Sequence, residues 1–167
     1  MIDVLLRKIK NFSKLDRFSQ LWFIPVWGLL GIYRGIILTL SFQGIAPRLG
    51  NYQGMDPWVP LLTAPLEERA RAIQRVISLA ARYTPWLSDC FPQALAAITL
   101  LKLYGVAYTL FFGVTRNQQA AFPPVAAHAW VVAGKVPVTG GESFASNKIL
   151  ISIPSQSHSS LSGNYSV

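Results

Sequence analysis

Trp86-Leu87-Ser88-Asp89-Cys90-Phe91-Pro92-Gln93, followed by an apolar run from Ala94 to Tyr104 and then by Gly105, decides how this chain reads. Ser88 and Asp89 are residue types that cap helix starts, Pro92 suits a first helical turn, and Gly105 suits a C-terminal cap. The spacing predicts a helix of about four turns with Cys90 at its positive end. There the helix dipole and unpaired amide groups stabilise a thiolate, the reactive form of cysteine. Cysteine is also a common core residue. Position argues for the nucleophile, because a helix start is where a thiol becomes reactive rather than where it is most buried.

Downstream, Val106 to Val114 is rich in β-branched and aromatic residues and predicts a strand. Thr115 to Ala127 reads as a loop holding Pro123 and Pro124. His128-Ala129-Trp130-Val131-Val132 predicts a second strand, turned at Gly134-Lys135 into Val136-Pro137-Val138, and Lys148 to Ile153 a further one. A helix followed by antiparallel strands is an α+β arrangement. His128 opens its strand on this reading, so its imidazole is able to face the helix start that carries Cys90. A base in reach of a thiol makes the thiolate–imidazolium pair of cysteine hydrolases. The plainer alternative is a histidine that caps a strand or bonds a carbonyl. His158, in a Ser-rich tail, reads as an ordinary surface residue.

Upstream, Pro65 opens a helix with Glu67 and Glu68 near its positive end. Leu66, Ala70, Ile73, Ile77 and Ala80 recur at helical spacing. Arg69, Arg71, Arg75 and Arg82 take the other faces, as a solvated surface more than a binding stripe, and Thr84-Pro85 ends the helix. Residues 43–62 hold six glycines and prolines and mark a boundary. The expected organisation is an apolar and basic helical segment over 1–50, a catalytic region over 63–153 and a tail over 154–167.

The amino-terminal segment is basic at first, with Arg7, Lys8, Lys10, Lys14 and Arg17, and then almost wholly apolar from Leu21 to Phe42 apart from Arg34. No small-residue cleavage site follows at the distance a signal peptide requires. A membrane span is long enough over 21–42, but Arg34 near its middle costs roughly 2.5–3.5 kcal/mol on insertion scales and Pro25 lies within it. A pair of helices packed on the domain, or lying on the membrane surface, accounts for the same residues without that cost.

Composition narrows the function classes. The chain is 51% hydrophobic and 13% charged with a net charge of +8, and its mean hydropathy of +0.36 is high for a soluble protein. The charge suits an anionic membrane surface or an acidic peptide. Nucleic acid fits poorly, because the basic residues are scattered and no recognition motif is present. A single cysteine excludes an internal disulfide and a thiolate-rich zinc site.

The order of these signals is similar to that of the lasso-peptide biosynthesis B proteins: Cys90 at a helix start, Gly105, a strand ending Gly113-Val114, then His128-Ala129-Trp130-Val131 with Gly134 closing a hairpin. These are transglutaminase-like, papain-like cysteine peptidases of the microcin-processing type, which remove the leader from a lasso precursor. The Arg-rich helix, Pro85-Trp86 and the leading apolar helices also look like that family, and the resemblance covers about residues 15–142. It implies that Cys90 attacks the carbonyl after the leader and that His128 moves the proton. It also implies a third, acidic residue about a dozen positions after the histidine. Gly140 falls where that acid is expected; Glu142 serves if the hairpin bulges, and the Thr139 hydroxyl is a weaker substitute. The implied partners are a precursor peptide, a separate leader-recognition protein and an asparagine-synthetase-like cyclase, with no cofactor or metal. The implied place is the cytoplasm, with peripheral contact at the inner face of the membrane. Two alternatives keep the same residues: a transglutaminase-like acyl transfer to an amine, and a membrane-associated interaction protein in which Cys90 and His128 are structural.

Overall fold

A computed structural model describes residues 15–39, 59–116, 125–140 and 148–155. The basic residues from Arg7 to Lys14, most of the Gly/Pro-rich boundary, Glu142, His158 and the tail beyond Ser155 lie outside them.

Among the described residues, three helices and four strands follow in order: α1 (Arg17–Thr39), α2 (Ala64–Ala81), α3 (Cys90–Leu103), β1 (Thr109–Arg116), β2 (Val125–Ala133), β3 (Val136–Pro137) and β4 (Lys148–Pro154). The strands form one antiparallel sheet in the order β3-β2-β1-β4. Helices gather on one face, as expected of an α+β fold.

Among the described residues, the apolar amino-terminal stretch from Leu21 to Thr39 lies in one helix and not in a pair. Arg34 does not interrupt it, because its guanidinium donates to Asp89 Oδ2 at 3.2 Å. Pro25 sits within the helix on its exposed side. Asp16 closes the helix start: its carboxylate accepts from the Ser19 amide at 3.0 Å and from the Ser19 hydroxyl at 2.7 Å. Partial burial pushes the Asp16 carboxyl up, but the Ser19 bonds and the Arg75 charge outweigh it and hold the group below its usual range. Val26 and Leu30 are fully buried in the same core as α2, α3 and the sheet. Burying each contributes roughly 1.5–3 kcal/mol.

Helix α2 buries Ala70, Ile73, Ile77 and Ala80 of the spacing read from the sequence, buries Ala72 and Val76 besides, and leaves Leu66 half-buried. It ends at Ala81, before Thr84, whose hydroxyl bonds back to the Ala81 carbonyl at 3.0 Å. The arginine face is exposed but not merely solvated. Arg69 lies 4.7 Å from the centre of the Tyr104 ring and 5.4 Å from that of Phe18, and Arg71 bonds Glu67 at 3.1 Å.

Helix α3 is buried on most sides between the other helices and the sheet. Its end is a Schellman cap: Gly105, at φ +63°, donates to Lys102 O, and Val106 donates to Leu101 O. That cap consumes residues 104–106, which is why β1 begins at Thr109 and not at Val106. Strand β4 extends through Pro154, and Ser155 bonds Tyr108 in both directions, its amide to the Tyr108 carbonyl and its hydroxyl from the Tyr108 amide. The end of the sheet is thus fastened by a residue that composition alone assigned to the tail.

Tyr108 is buried, and its phenol oxygen has no hydrogen-bond partner among the described residues. Burial pushes its ionisation up from 10.0 to about 12. A raised folded-state value means stability that is complete below pH 10 and declines as the pH climbs toward 12. The expected loss across that window is about 2–3 kcal/mol. Urea midpoints measured from pH 9 to 12 check this, since Tyr108→Phe should lack that component of the decline.

Candidate active site

Cys90 is the first residue of α3, and Asp89 precedes it in an extended conformation. Asp89 occupies the N-cap position but makes no side-chain cap bond, because its carboxylate is turned to Arg34. Pro92 carries no amide hydrogen. The helix start therefore keeps its positive end clear of a side-chain cap beside the thiol. The approach to it is held firmly: Gln93 Nε2 donates to Ser88 O at 2.6 Å, and the hydroxyls of Thr84 and Ser88 bond at 2.8 Å. Cys90 itself is half-buried at the edge of the main core.

His128 does not open its strand. It is the fourth residue of β2, paired in register with Gly113 of β1, because the strand begins at Val125 within the stretch read as loop. Its ring stacks on Trp130, centroids 5.7 Å apart and planes 22° from parallel. Trp130 stacks in turn on Phe111, its register partner. Nε2 of His128 is buried and has no hydrogen-bond partner among the described residues.

The Phe91 ring, next to Cys90, lies 5.7 Å from that of Phe112. Phe112 pairs with Ala129, one residue from His128. The helix start that carries the thiol thus meets the middle of the β1–β2 ladder, one register step from His128. The thiol and the imidazole do not approach it from the same side. Pleat alternation puts His128 with Trp130 on one face of β2, and Ala129 and Val131 on the other, where the helices pack. No hydrogen bond joins Cys90 to His128 among the described residues.

The segment after β3 passes directly over the imidazole. A Cβ built at Gly140 would lie 3.2 Å from His128 Nε2 and 2.3 Å from Trp130 Cβ, and the residue has φ +86°. No side chain fits, so Gly140 stands there through close approach of the backbone. Thr139 is not a substitute for the missing acid. Its hydroxyl accepts from the Val131 amide at 3.1 Å and is buried. Glu142, two residues further on, is outside the described residues. Among those described, no cluster of His, Cys, Asp or Glu is placed to hold a metal ion.

A family model described as the transglutaminase-like superfamily matches residues 38–149, which include Cys90, His128 and Glu142. The chain belongs to the transglutaminase-like superfamily. Members of this superfamily are typically cysteine-dependent enzymes, and the match supports a cysteine-peptidase or acyltransferase-like function at that level. The α+β architecture with an apolar amino-terminal helix agrees with the transglutaminase-like fold expected from the sequence. No curated protein matches the chain. No solved structure matches it either.

Several residues of this site escaped sequence reasoning. The Arg34–Asp89 tie joins positions 55 apart, and no local signal announces it. Gln93 lies in the first turn of α3, and its side chain, unannounced by any local signal, clamps the Ser88 carbonyl. The one available signal was the Gly140-Gly141 pair, which marks a place where backbone must come close.

Proposed function

We propose that this transglutaminase-like chain is a cysteine peptidase that removes the leader peptide from a lasso-peptide precursor during ribosomal peptide maturation. Cys90 Sγ attacks the scissile carbonyl, and His128 takes the thiol proton and returns it to the leaving amine. Water then cleaves the thioester to free the enzyme. The Cys90 amide, at the positive helix end, helps hold the oxyanion. Glu142 is the acid assigned to orienting the imidazole. The precursor arrives with a separate leader-recognition protein, and the freed core passes to an asparagine-synthetase-like cyclase in the cytoplasm.

One observation carries the reading. A half-buried thiol stands at an uncapped helix start, and one register step from the strand pair that this helix start touches is a buried imidazole nitrogen without a partner among the described residues. Buried polar atoms are usually bonded; this one is not among the described residues, which leaves the nitrogen free to handle a proton. The imidazole lies on the face of β2 turned away from the helix that carries the thiol, so the proposal requires it to move to the thiol when the precursor binds. Acyl transfer to an amine uses the same chemistry up to the thioester, and the superfamily match supports it equally at the coarse level.

The test is a cleavage assay with precursor and recognition protein, read by mass spectrometry with and without an added primary amine. Release of an intact leader with water incorporated is the expected result. Amine adducts in place of the hydrolysed product would assign the acyl transfer, and an uncut precursor would overturn both. Within the same assay, Glu142→Gln should lower kcat by roughly 10–10³-fold and alter the pH profile. Thr139→Val should instead leave the profile alone and destabilise the fold by about 1–3 kcal/mol, since the buried Val131 amide loses its acceptor.

A further inference from the structure

We infer that the outer face of α1 is a docking surface for an anionic lipid bilayer, with the helix lying along the membrane rather than across it. This goes beyond the peptidase reading and does not depend on it.

Leu21, Ile24, Ile32 and Leu38 are between 59% and 71% exposed. At about 100° per residue, Leu21, Ile24 and Ile32 share one stripe with Pro25, Gly28 and Gly35, and Leu38 lies at its margin. A Cβ at Gly28 or Gly35 would meet nothing within 4 Å, so the stripe is open along its length. One edge is continued by the loop that follows α2. Trp86 packs on Trp27 at 4.7 Å and against Gly31, and its neighbour Leu87 is 68% exposed. Aliphatic side chains flanked by tryptophan suit the boundary of a bilayer.

The helix is long and apolar enough to cross a membrane by length and composition. Its inner face forbids that placement. Trp22 Nε1 donates to the Tyr104 hydroxyl at 2.7 Å, the Tyr33 and Thr99 hydroxyls bond at 2.6 Å, and Arg34 bonds Asp89. Crossing would break all three and strip Val26 and Leu30 from the core. Lying flat keeps them and buries the stripe.

Charge selects the lipid. The chain carries a net +8, and Arg7, Lys8, Lys10, Lys14 and Arg17 lead directly into the helix. A chain of that net charge, with basic residues next to an apolar stretch in sequence, is drawn to anionic headgroups. From Leu21 to Leu38 the stripe offers no charged or hydrogen-bonding side chain to fix the register of a protein partner, and a bilayer needs none.

Flotation of the full-length protein with phosphatidylcholine vesicles, with and without one quarter phosphatidylglycerol, tests the assignment. Wild type should float with the anionic vesicles and lose binding in 1 M salt, where the Debye length falls to about 3 Å. Ile24→Glu with Ile32→Glu should weaken flotation at least about tenfold with an unchanged circular dichroism spectrum. Gly28→Glu, which meets no neighbour and removes a helical glycine, gives the same readout should the double variant fail to fold. Absence of flotation by wild type, or equal flotation by folded variants, overturns the inference. So does a wild-type dimer that the same substitutions turn into a monomer without any vesicle binding, which would make the stripe a seam between two copies.

Discussion

Cys90→Ala is expected to lower kcat/KM for precursor cleavage by about 10³-fold or more while the protein stays folded. The thiol is half-buried at the edge of the core, so its loss removes one small apolar group and costs about 1 kcal/mol. His128→Ala should produce a loss of similar size. The double variant should be no worse than either single one, because a nucleophile and its base act as one unit. Additive losses would separate the two roles and break the proposed mechanism. Equal cleavage by wild type and Cys90→Ala would remove Cys90 as nucleophile outright. Thiol alkylation adds a second readout. A thiol activated by a neighbouring base alkylates faster, and His128→Ala should slow that alkylation.

Gly140→Ala is expected to be the most damaging single methyl group in the described fold. At φ +86° an L side chain is strained by about 1–2 kcal/mol, and this one would also sit 2.3 Å from Trp130 Cβ. Trp130 is buried and stacked on both Phe111 and His128, so it has nowhere to move. Overpacking of this kind adds about 1–3 kcal/mol. The sum corresponds to a fall in Tm of about 4–20 °C for a chain of this size. Gly105→Ala is the control: its φ is also positive, at +63°, but its Cβ would meet nothing within 4 Å. It should cost only the backbone strain. A Gly140→Ala protein no less stable than Gly105→Ala would show that the close approach over Trp130 is not real.

Local chemistry was legible in the sequence, and long-range pairing was not. Pro65, Cys90 and Gly134 fell where turn and cap rules put them, and Gly105 proved to be the left-handed residue of a complete Schellman cap. Those rules depend on a few neighbouring residues, so one sequence suffices. The break read at Arg34 failed because an unpaired charge in an apolar run looks costly. Its partner Asp89 is remote in sequence and was read as a cap instead. Strand β2 began earlier than expected because Pro123 and Pro124 made the whole stretch look like loop, although Val125 to Ala127 pair with Val114 to Arg116. His128 thereby changed from a strand's first residue into an internal one with a fixed face, a matter of register that one sequence does not encode on its own.

The three polar ties between α1 and α3 have a consequence for how the molecule is divided. Tyr104, Thr99 and Asp89 lie at the end, the interior and the start of the thiol-bearing helix, and each is held by a residue of α1. The family match begins at residue 38, one position before α1 ends. A protein cut to the matched region would keep Cys90 and His128 and lose the splint that holds the nucleophile's helix, uncovering the wall that Val26 and Leu30 seal. The unit that folds is larger than the unit that is recognisably inherited, and the difference is a helix that carries none of the proposed catalytic residues.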